Sequence, residues 1–440
     1  MSRTIVIVGG GASGALLAVH LARQADRPGV VVVEPRAEIG PGLAYSTRSP
    51  GHLLNVRAAN MSAFPDRPDH FLDWLRRDHD PEADGGLFAP RMAYGRYLRS
   101  LAQAAGIVHC RTMATAVTVE GDAARLVLAD GTVLGADHVV LALGHFPPVD
   151  LPHVSDDAVA RRIYYRDPWA DHAPMPDRDA PVVLIGTGLT AVDMLLRLRE
   201  EGHRGPVTMI SRHGLPSLGH IPCAPCAQAA IPPGTAPAAR AYLRALHAAL
   251  RDGVAWPAAI DSLRGTSNLL WARLPLSEKI RFRRHLFHRW SVARHRMAPS
   301  VAARVAHDMQ RGTLAIRRGH VHALAAGGDG GVLTLRTARG TEILAASRVI
   351  NCSGPATDYR HVGSAILRGL LRTGQAVPGE MGVTLATGAG GAVRDAAGHC
   401  SPVLSAMGPM RAGTLFETTA IPEIRQQAAE LAARLVRTSS

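Results

Sequence analysis

The sequence of 440 residues predicts an α/β fold, and three observations favour this class. An apolar, β-branched run stops at a cluster of glycines and continues as a small-residue apolar stretch over residues 5–22. The same pattern returns over residues 181–194. Each copy is typical of a strand, a tight turn and a helix. A hairpin followed by a buried strand that ends in small residues also occurs twice, within residues 124–144 and 331–354. The repetition indicates two α/β domains.

The first glycine cluster predicts a dinucleotide site. Gly9 would permit a sharp turn, Gly11 would let backbone N–H groups approach a pyrophosphate, and Gly14 would let the helix pack closely on its strand. The next apolar run, residues 30–33, ends at Glu34, where a carboxylate can accept hydrogen bonds from ribose hydroxyls. The simpler alternative is a glycine-rich packing turn. The predicted contacts are Gly9, Gly11, Ala12, Ser13, Gly14 and Glu34.

The second cluster has the GxGxxA form and predicts a second nucleotide. Gly186 and Gly188 would open the turn so that the following helix presents its amino end to a pyrophosphate. The next strand ends at Arg212, and a guanidinium there can pair with a 2′-phosphate that Glu34 would repel. This favours NADPH, although Arg212 could also be a solvated surface charge. The predicted contacts are Gly186, Thr187, Gly188, Leu189, Thr190 and Arg212.

Composition and targeting signals exclude several classes of protein. Residues 4–22 could be a signal peptide, but three consecutive glycines interrupt the run and it is too short to span a bilayer. We therefore expect a cytoplasmic protein without a membrane partner.

The formal net charge of +13 suggests binding to nucleic acid, yet Lys279 is the only lysine, and arginine supplies the rest of the positive charge. Such a bias is typical of GC-rich coding rather than of a nucleic-acid surface. No nucleic-acid partner is predicted.

Helical patterns occupy four further stretches, residues 69–77, 92–105, 237–252 and 276–296. A looser connector carries Trp256 and Trp271. The last helix is strongly basic, which is usual for a solvated face. His285 and His288 have a spacing that could suit a metal, but no third ligand accompanies them, so no metal site is predicted.

Several phrases resemble a bacterial family of FAD/NAD(P)-binding flavoproteins, related in plan to single-component flavin monooxygenases. They are residues 39–45, 52–56, 60–65, 290–297, 351–359 and 407–425. The resemblance implies two Rossmann-like domains. A discontinuous FAD domain would comprise residues 1–150 and 320–440, and an inserted NADPH domain would comprise residues 151–319, with a helical insertion at about residues 214–300.

The resemblance also implies further residues around the flavin. Tyr45, Asn55 and Met61 would lie near the flavin or a substrate. The helix that follows Pro422 would point its amino end at the pyrimidine edge of the isoalloxazine, where the helix dipole stabilises negative charge. The remaining FAD contacts implied in this way are Gly144, Gly354, Gly408, Thr414, Glu417 and Thr418.

The function implied by the resemblance is hydride transfer from NADPH to FAD, then hydroxylation of a small molecule by O2 through a flavin–oxygen adduct. No catalytic side chain stands out, as expected where the cofactor is the reagent. The substrate could be an amine, an amino acid or a heterocycle, and the oligomeric state is left open. An NADPH-dependent flavin reductase or dehydrogenase would have the same two nucleotide sites.

The cysteines leave one further alternative. The chain has five, Cys110, Cys223, Cys226, Cys352 and Cys400, an odd and scattered set unlike a secreted disulfide framework. Cys223 and Cys226 form a CxxC pair, as in thiol-disulfide oxidoreductases. In the thioredoxin reductase pattern the pair precedes the nucleotide-binding glycines of the NADPH domain, and in glutathione reductase-like enzymes it follows the first FAD unit. Here the pair follows the second glycine cluster and fits neither position. Two incidental thiols are therefore favoured over a redox pair.

Overall fold

The computed structural model describes residues 3–170 and 176–437. In chain order the strands are β1 (Thr4–Val8), β2 (Gly29–Val33), β3 (Val108–Cys110), β4 (Ala114–Glu120), β5 (Ala123–Leu128), β6 (Val133–Ala136), β7 (His138–Leu141), β8 (Tyr164–Tyr165), β9 (Val182–Ile185), β10 (Val207–Ser211), β11 (Leu314–Arg318), β12 (His320–Gly327), β13 (Gly330–Thr337), β14 (Gly340–Ala346), β15 (Arg348–Asn351), β16 (Ala392–Arg394) and β17 (Cys400–Ala406).

Helices cover these sheets and form a separate group of their own. They are α1 (Ala12–Ala22), α2 (Gly42–Tyr45), α3 (His70–Asp78), α4 (Arg91–Ala104), α5 (Asp156–Ala160), α6 (Leu189–Glu200), α7 (Ala239–Arg251), α8 (Trp256–Asp261), α9 (Ser267–Arg273), α10 (Leu276–His285), α11 (Phe287–Arg294), α12 (Pro299–Gln310), α13 (Ala365–Arg372) and α14 (Ile421–Arg437). In the described ranges, none of the helices is long and apolar enough to cross a bilayer.

Two sheets with the same internal plan organise the chain, which confirms the predicted α/β class. The first sheet has the order β16-β17-β7-β1-β2-β3 and the second β11-β10-β9-β15-β8. Each glycine cluster follows a central strand, β1 or β9, which pairs in parallel with the next strand of its unit. On its other side lies the strand that follows the hairpin, β7 beside β1 and β15 beside β9.

Burial on both faces explains why these strands are apolar without alternation. Ile5 and Ile7 of β1 pack into one core cluster, whereas Val6 and Val8 pack into another on the opposite face of the sheet. All four side chains are at most 3% exposed. A strand of this kind has no solvent side, so the continuous apolar run is what the fold requires.

Each predicted hairpin is part of a three-stranded antiparallel sheet, β4-β5-β6 or β12-β13-β14. The Asp130-Gly131 turn is formed as expected. Gly131 adopts φ +86°, and the Thr132 N–H donates to Asp130 Oδ1 at 2.9 Å. The side-chain acceptor and the left-handed glycine together fix the turn.

The pairing of β15 bears on the domain limits. This strand lies between β9 and β8 of the second sheet, and the antiparallel sheet β12-β13-β14 leads directly into it. We therefore propose that the second domain extends to about residue 352, rather than ending at residue 319. The first domain then resumes with the segment that leads to α13, β16, β17 and α14.

The helical region differs from the sequence prediction in two places. The single helix predicted over residues 276–296 is wrong, because α10 and α11 are separated at Leu286, which has φ −118°. The break lets Phe282 of α10 and Trp290 of α11 pack against the same apolar cluster. Trp256 and Trp271 lie on α8 and α9 rather than in a loose connector.

Candidate functional site

The first glycine turn places an uncapped helix end beside β1. Gly9 has φ +105°, and a Cβ there would lie 2.5 Å from the carbonyl oxygen of Ala142, directly after β7. Gly11 precedes α1, and neither a side-chain cap nor an acidic residue occupies the first turn of this helix. Its backbone N–H groups are therefore available to an external anion, as a pyrophosphate requires.

Glu34 lies at the end of β2 and is 2% exposed. Its Oε2 accepts a hydrogen bond from the Gly10 N–H at 2.8 Å, and its Oε1 pairs with Arg36 Nε at 2.8 Å. Burial raises the pKa of the carboxyl, but the Arg36 side chain and the two backbone N–H donors outweigh it and hold the pKa below its ordinary value. An ionised acceptor is thus fixed beside the turn, where a ribose would lie.

The second glycine turn repeats this construction. Gly186 has φ +127°, and a Cβ there would collide with the carbonyl oxygen of Cys352, which follows β15 as Ala142 follows β7. Gly188 precedes α6, again without a side-chain cap or an acidic first turn, and a Cβ on Gly188 would meet no atom within 4 Å. Gly186 is therefore required by the close contact with the Cys352 carbonyl, whereas Gly188 leaves space for a ligand at the start of α6.

A cleft of about 510 Å³ opens over this second turn. Thr187, 5% exposed, braces the turn by donating its hydroxyl proton to the Leu215 carbonyl at 2.6 Å. Leu189 and Thr190, at the start of α6, line the cleft. Ser353 and Gly354, which follow β15, also line it.

The cleft is basic. Arg212, His213, His288 and His320 line it, and none of the described residues that line it is acidic. His213 and His288 stack with ring centroids 3.7 Å apart. Burial and the charge of Arg212, among other basic neighbours, lower the pKa of both rings. Arg212 is exposed to the cleft directly after β10, the position at which a 2′-phosphate would be recognised.

The terminal segment packs against the first glycine turn. A Cβ on Gly408 would collide with Ser13 Oγ, so this backbone touches the first turn of α1. The Thr418 hydroxyl donates to the Gly408 carbonyl at 2.8 Å, and Gln427 bridges the two residues from α14. Pro422 lies in the first turn of α14. Thr414 Oγ1 accepts a hydrogen bond from the Thr387 N–H at 3.1 Å.

Glu417 is engaged by the helical region. It forms a buried ion pair with Arg294 of α11, with Oε1 3.0 Å from Nε. Burial raises the pKa of Glu417, and the charge of Arg294 opposes the rise. Asn268 of α9 holds the adjoining backbone, because its Oδ1 accepts the N–H groups of Phe416 and Glu417 at 2.8 Å each. The Glu417 side chain is thus a docking contact in this structure, and a FAD contact through it stays a prediction.

Three predicted flavin neighbours lie in different settings. Tyr45 packs edge-on against Tyr94 with ring centroids 4.8 Å apart, and burial raises the pKa of Tyr45 to about 12. The Asn55 carbonyl accepts a hydrogen bond from His220 Nε2 at 3.1 Å, linking the first domain to the loop after β10. Met61 is 2% exposed within the core of the first domain, so its side chain supports the domain interior.

The two glycines that follow the central strands are equivalent. Gly144 follows β7 with φ +71°, and Gly354 follows β15 with φ +100°. Gly354 lines the basic cleft. We therefore propose that Gly354 contacts the second nucleotide rather than FAD, while the FAD contact of Gly144 stays a prediction.

Sequence reasoning missed the contacts that join the domains. Arg91 of α4 pairs with Asp193 of α6 at 2.8 Å, and His52 Nε2 donates to the Asp193 carbonyl at 2.8 Å. Burial raises the pKa of Asp193 above its ordinary value, and the charges of Arg91 and His52 oppose only part of the rise. These residues lie about a hundred or more positions apart and follow no periodic pattern, so the sequence offered no signal for them.

The part of the chain that the structure describes holds neither a metal-binding cluster nor a disulfide. No cluster of three or more histidine, cysteine or carboxylate side chains suited to a metal occurs in residues 3–170 and 176–437. The cysteines are all free. Cys223 is exposed, and Cys226 Sγ donates to the Gln228 carbonyl at 2.9 Å. Both lie in the irregular stretch between β10 and α7, and neither cysteine lines the basic cleft.

Comparison with known proteins identifies the architecture. Residues 6–146 match a family model described as FAD-NAD(P)-binding. Over 100% of both chains, the structure is similar to ornithine hydroxylase from Pseudomonas aeruginosa, with a TM-score of 0.70 and 17% identity. The chain has the flavin monooxygenase fold. The resemblance inferred from the sequence is confirmed at this level.

Two further solved structures share this fold. Ornithine N-hydroxylase from Kutzneria sp. 744, whose structure is described with reduced FAD, NADP+ and L-ornithine, has a TM-score of 0.69 and 16% identity over 100% of both chains. L-lysine 6-monooxygenase from Pseudomonas syringae has a TM-score of 0.69 and 14% identity over 100% of both chains. A search of the curated proteins by sequence finds no match.

Proposed function

We propose that this protein is an FAD- and NADPH-dependent monooxygenase that hydroxylates a small molecule with O2. The observation that carries the proposal is the pair of equivalent glycine turns, each with an uncapped helix end, the second opening on a basic cleft. The solved relatives of this fold include hydroxylases of amino acids. Fold alone does not decide activity, so the site carries the argument.

FAD fits the first turn. The free amide groups at the start of α1 suit a pyrophosphate, and the buried carboxylate of Glu34 suits the adjoining ribose. The terminal segment closes on the turn at Ser13 and Gly408, so the amino end of α14 approaches the same site. Bound FAD would supply the redox chemistry, accepting hydride from NADPH and then reacting with O2.

NADPH fits the second turn. The start of α6 offers amide groups to the pyrophosphate, and the open space beside Gly188 lets the pyrophosphate approach the protein backbone closely. Arg212 supplies a fixed positive charge for a 2′-phosphate, whereas the corresponding position of the first turn carries Glu34. The absence of acidic side chains among the described lining residues further favours an anionic nucleotide.

The cytoplasm is the compartment we propose for this activity. All five cysteines are free, although some are exposed, which suits a reducing environment.

Absorbance spectroscopy and nucleotide oxidation test the proposed function. The purified protein, reconstituted with FAD, is expected to show a flavin spectrum that NADPH bleaches without oxygen and that O2 restores. A panel of small molecules is then screened for faster NADPH consumption with less release of hydrogen peroxide, the signature of coupled hydroxylation. Failure to bind FAD would refute the proposal. Rapid electron transfer to another acceptor, with no oxygen incorporated into any product, would favour a reductase.

A further inference from the structure

A second cavity lies within the helical region. It measures about 280 Å³, roughly the space of nine water molecules at about 30 Å³ each. Six aromatic side chains line it, namely Tyr242, Trp256, Trp271, Phe282, Trp290 and Phe416. Leucine and isoleucine side chains fill the spaces between them. Apolar and aromatic linings of this kind are typical of small-molecule sites.

Helix α11 separates this apolar cavity from the basic cleft. Leu286, directly before the helix, and Trp290 face the apolar cavity. His288 and Ser291 face the basic cleft. The two sets alternate with the three-to-four residue spacing of an α-helix, so one helix forms a wall of both spaces. A molecule in the apolar cavity is thus one helix away from the proposed nicotinamide nucleotide.

Phe416 connects the apolar cavity to the terminal segment. Its ring stacks on Trp271 with centroids 4.9 Å apart and lies 5.5 Å from that of Trp290. The next residues, Glu417 and Thr418, are bonded to α11 and to Gly408, which touches the first glycine turn. The cavity therefore adjoins the segments proposed to hold both nucleotides.

The polar groups of the cavity restrict what it can hold. The Tyr242 hydroxyl donates to the Leu270 carbonyl at 3.2 Å, and the Ser267 hydroxyl to the Leu263 carbonyl at 2.8 Å, so both already have partners. Arg289 and His247 are exposed, which places these two polar side chains at the opening. None of the described lining residues is acidic. A buried ammonium group would find no carboxylate here, and its burial would be unfavourable.

We propose that this apolar cavity is the substrate site, and that the substrate is an apolar aromatic molecule of up to about two fused rings rather than a diamino acid. Any polar or anionic group of the substrate would point to Arg289 at the opening. The inference that such a molecule is the substrate rests on the proposed monooxygenase function. The inference that the cavity binds apolar aromatic molecules is independent of that function.

Fluorescence tests the binding. Three of the five tryptophans line the cavity, so intrinsic emission reports on occupancy. The FAD-reconstituted protein is titrated with 1-anilinonaphthalene-8-sulfonate, an anionic probe with a two-ring naphthalene and a phenyl group, and indole and L-ornithine are then added as competitors. We expect energy transfer from tryptophan to the probe and displacement by indole but not by L-ornithine. Displacement by L-ornithine alone, or no saturable binding, would overturn the proposal.

Substitutions locate the binding. Ala293→Phe fills the cavity from α11, and Leu243→Trp narrows it from α7, so each is expected to raise the Kd of the probe at least about tenfold. The second variant serves if the first fails to fold. Ala248→Phe is the matched control, because Ala248 lies on α7 and lines neither space. Unchanged probe affinity in both folded cavity variants would overturn the proposal.

Substrate use is separated from binding by a second readout. The wild-type protein is assayed for NADPH consumption and hydrogen peroxide release with indole and with L-ornithine. Coupled oxidation of the apolar ring compound supports the substrate assignment. If FAD binding and reduction by NADPH are normal but L-ornithine alone is coupled, the substrate inference fails while the proposed function stands. If NADPH does not reduce bound FAD, the proposed function fails, and the fluorescence result still decides the binding.

Discussion

Arg294 and Glu417 form a buried ion pair that joins the helical region to the terminal segment. The side chains are 9% and 6% exposed, and two N–H groups of the guanidinium meet the two carboxylate oxygens at 3.0 and 3.3 Å. The pair fixes the position of Phe416 and thereby one wall of the apolar cavity. It joins α11, which forms a wall of both the basic cleft and the apolar cavity, to the segment that touches the first glycine turn.

Removing one member of this pair should destabilise the protein strongly. Glu417→Ala leaves the Arg294 charge buried without its partner, which typically costs about 3–5 kcal/mol. Urea unfolding at pH 7 measures the loss. Asp66→Ala, which breaks the exposed pair with Arg23, is the control and should cost less than about 1 kcal/mol. Replacing both residues, Arg294→Met with Glu417→Leu, should recover most of the stability. A double variant as unstable as Glu417→Ala would contradict this account.

The two glycines of the second turn should respond differently to the same change. Gly186→Ala places a Cβ against the Cys352 carbonyl at φ +127°, so we expect a lower melting temperature and poor expression. Gly188→Ala meets open space at φ −85° and should leave the melting temperature of the protein alone nearly unchanged. It should instead weaken NADPH binding, because the methyl group occupies space beside the pyrophosphate. Calorimetric titration with NADP+ separates the effects, and equal losses of stability would contradict the prediction.

The sequence predicted the parts of the fold that depend on local chemistry. The runs of β1 and β9 are apolar because both faces are buried, and the glycines at residues 9 and 186 are needed where the backbone turns against a carbonyl group. The hydrogen bonds of Asn268 to Phe416 join residues 148 positions apart and leave no periodic trace. For the same reason the apolar cavity, built from five helices and Phe416, could not be predicted.

Acidification should destabilise the protein through His138. This residue of β7 is 3% exposed, and burial followed by the charges of Arg3 and Arg434 lowers its pKa to about 3. Because the folded pKa lies below the unfolded value of about 6.5, the contribution to stability is present above that pH and is lost as pH falls. By pH 5 the loss should be about 2 kcal/mol.

A matched variant isolates this contribution. His138→Gln keeps a hydrogen-bonding group toward Ser405 Oγ, which lies 3.0 Å from His138 Nε2, but does not titrate. The free energy of unfolding is measured with urea at pH 7.5 and at pH 5 for both proteins. Its decrease between the two pH values should be about 2 kcal/mol smaller in His138→Gln than in the wild type. Equal pH dependence in the two proteins would show that His138 is not responsible.

The CxxC pair should be dispensable. Cys223 and Cys226 lie in the irregular stretch between β10 and α7, and neither cysteine lines the basic cleft or the apolar cavity. We expect the double variant Cys223→Ala with Cys226→Ala to retain the rate at which NADPH reduces bound FAD and the rate of reoxidation by O2. Cys110→Ala is the control for removing a thiol elsewhere. NADPH-dependent reduction of a disulfide that occurs in the wild type and is lost only in the double variant would favour the thiol-disulfide alternative.

Arg212 should determine the choice of nicotinamide nucleotide. The Arg212→Ala variant removes the charge proposed to meet the 2′-phosphate, and a charge-assisted hydrogen bond of about 1.5–3 kcal/mol corresponds to an increase of roughly 10- to 100-fold in the KM for NADPH. The KM for NADH should change little, since NADH lacks this phosphate. Arg317→Ala is the matched control, because Arg317 lies in β11, the strand that pairs with β10, forms an ion pair with Glu342 at 3.7 Å and does not line the basic cleft. A wild-type protein that prefers NADH, or an equal rise of both KM values in Arg212→Ala, would reject the assignment of NADPH to the second turn.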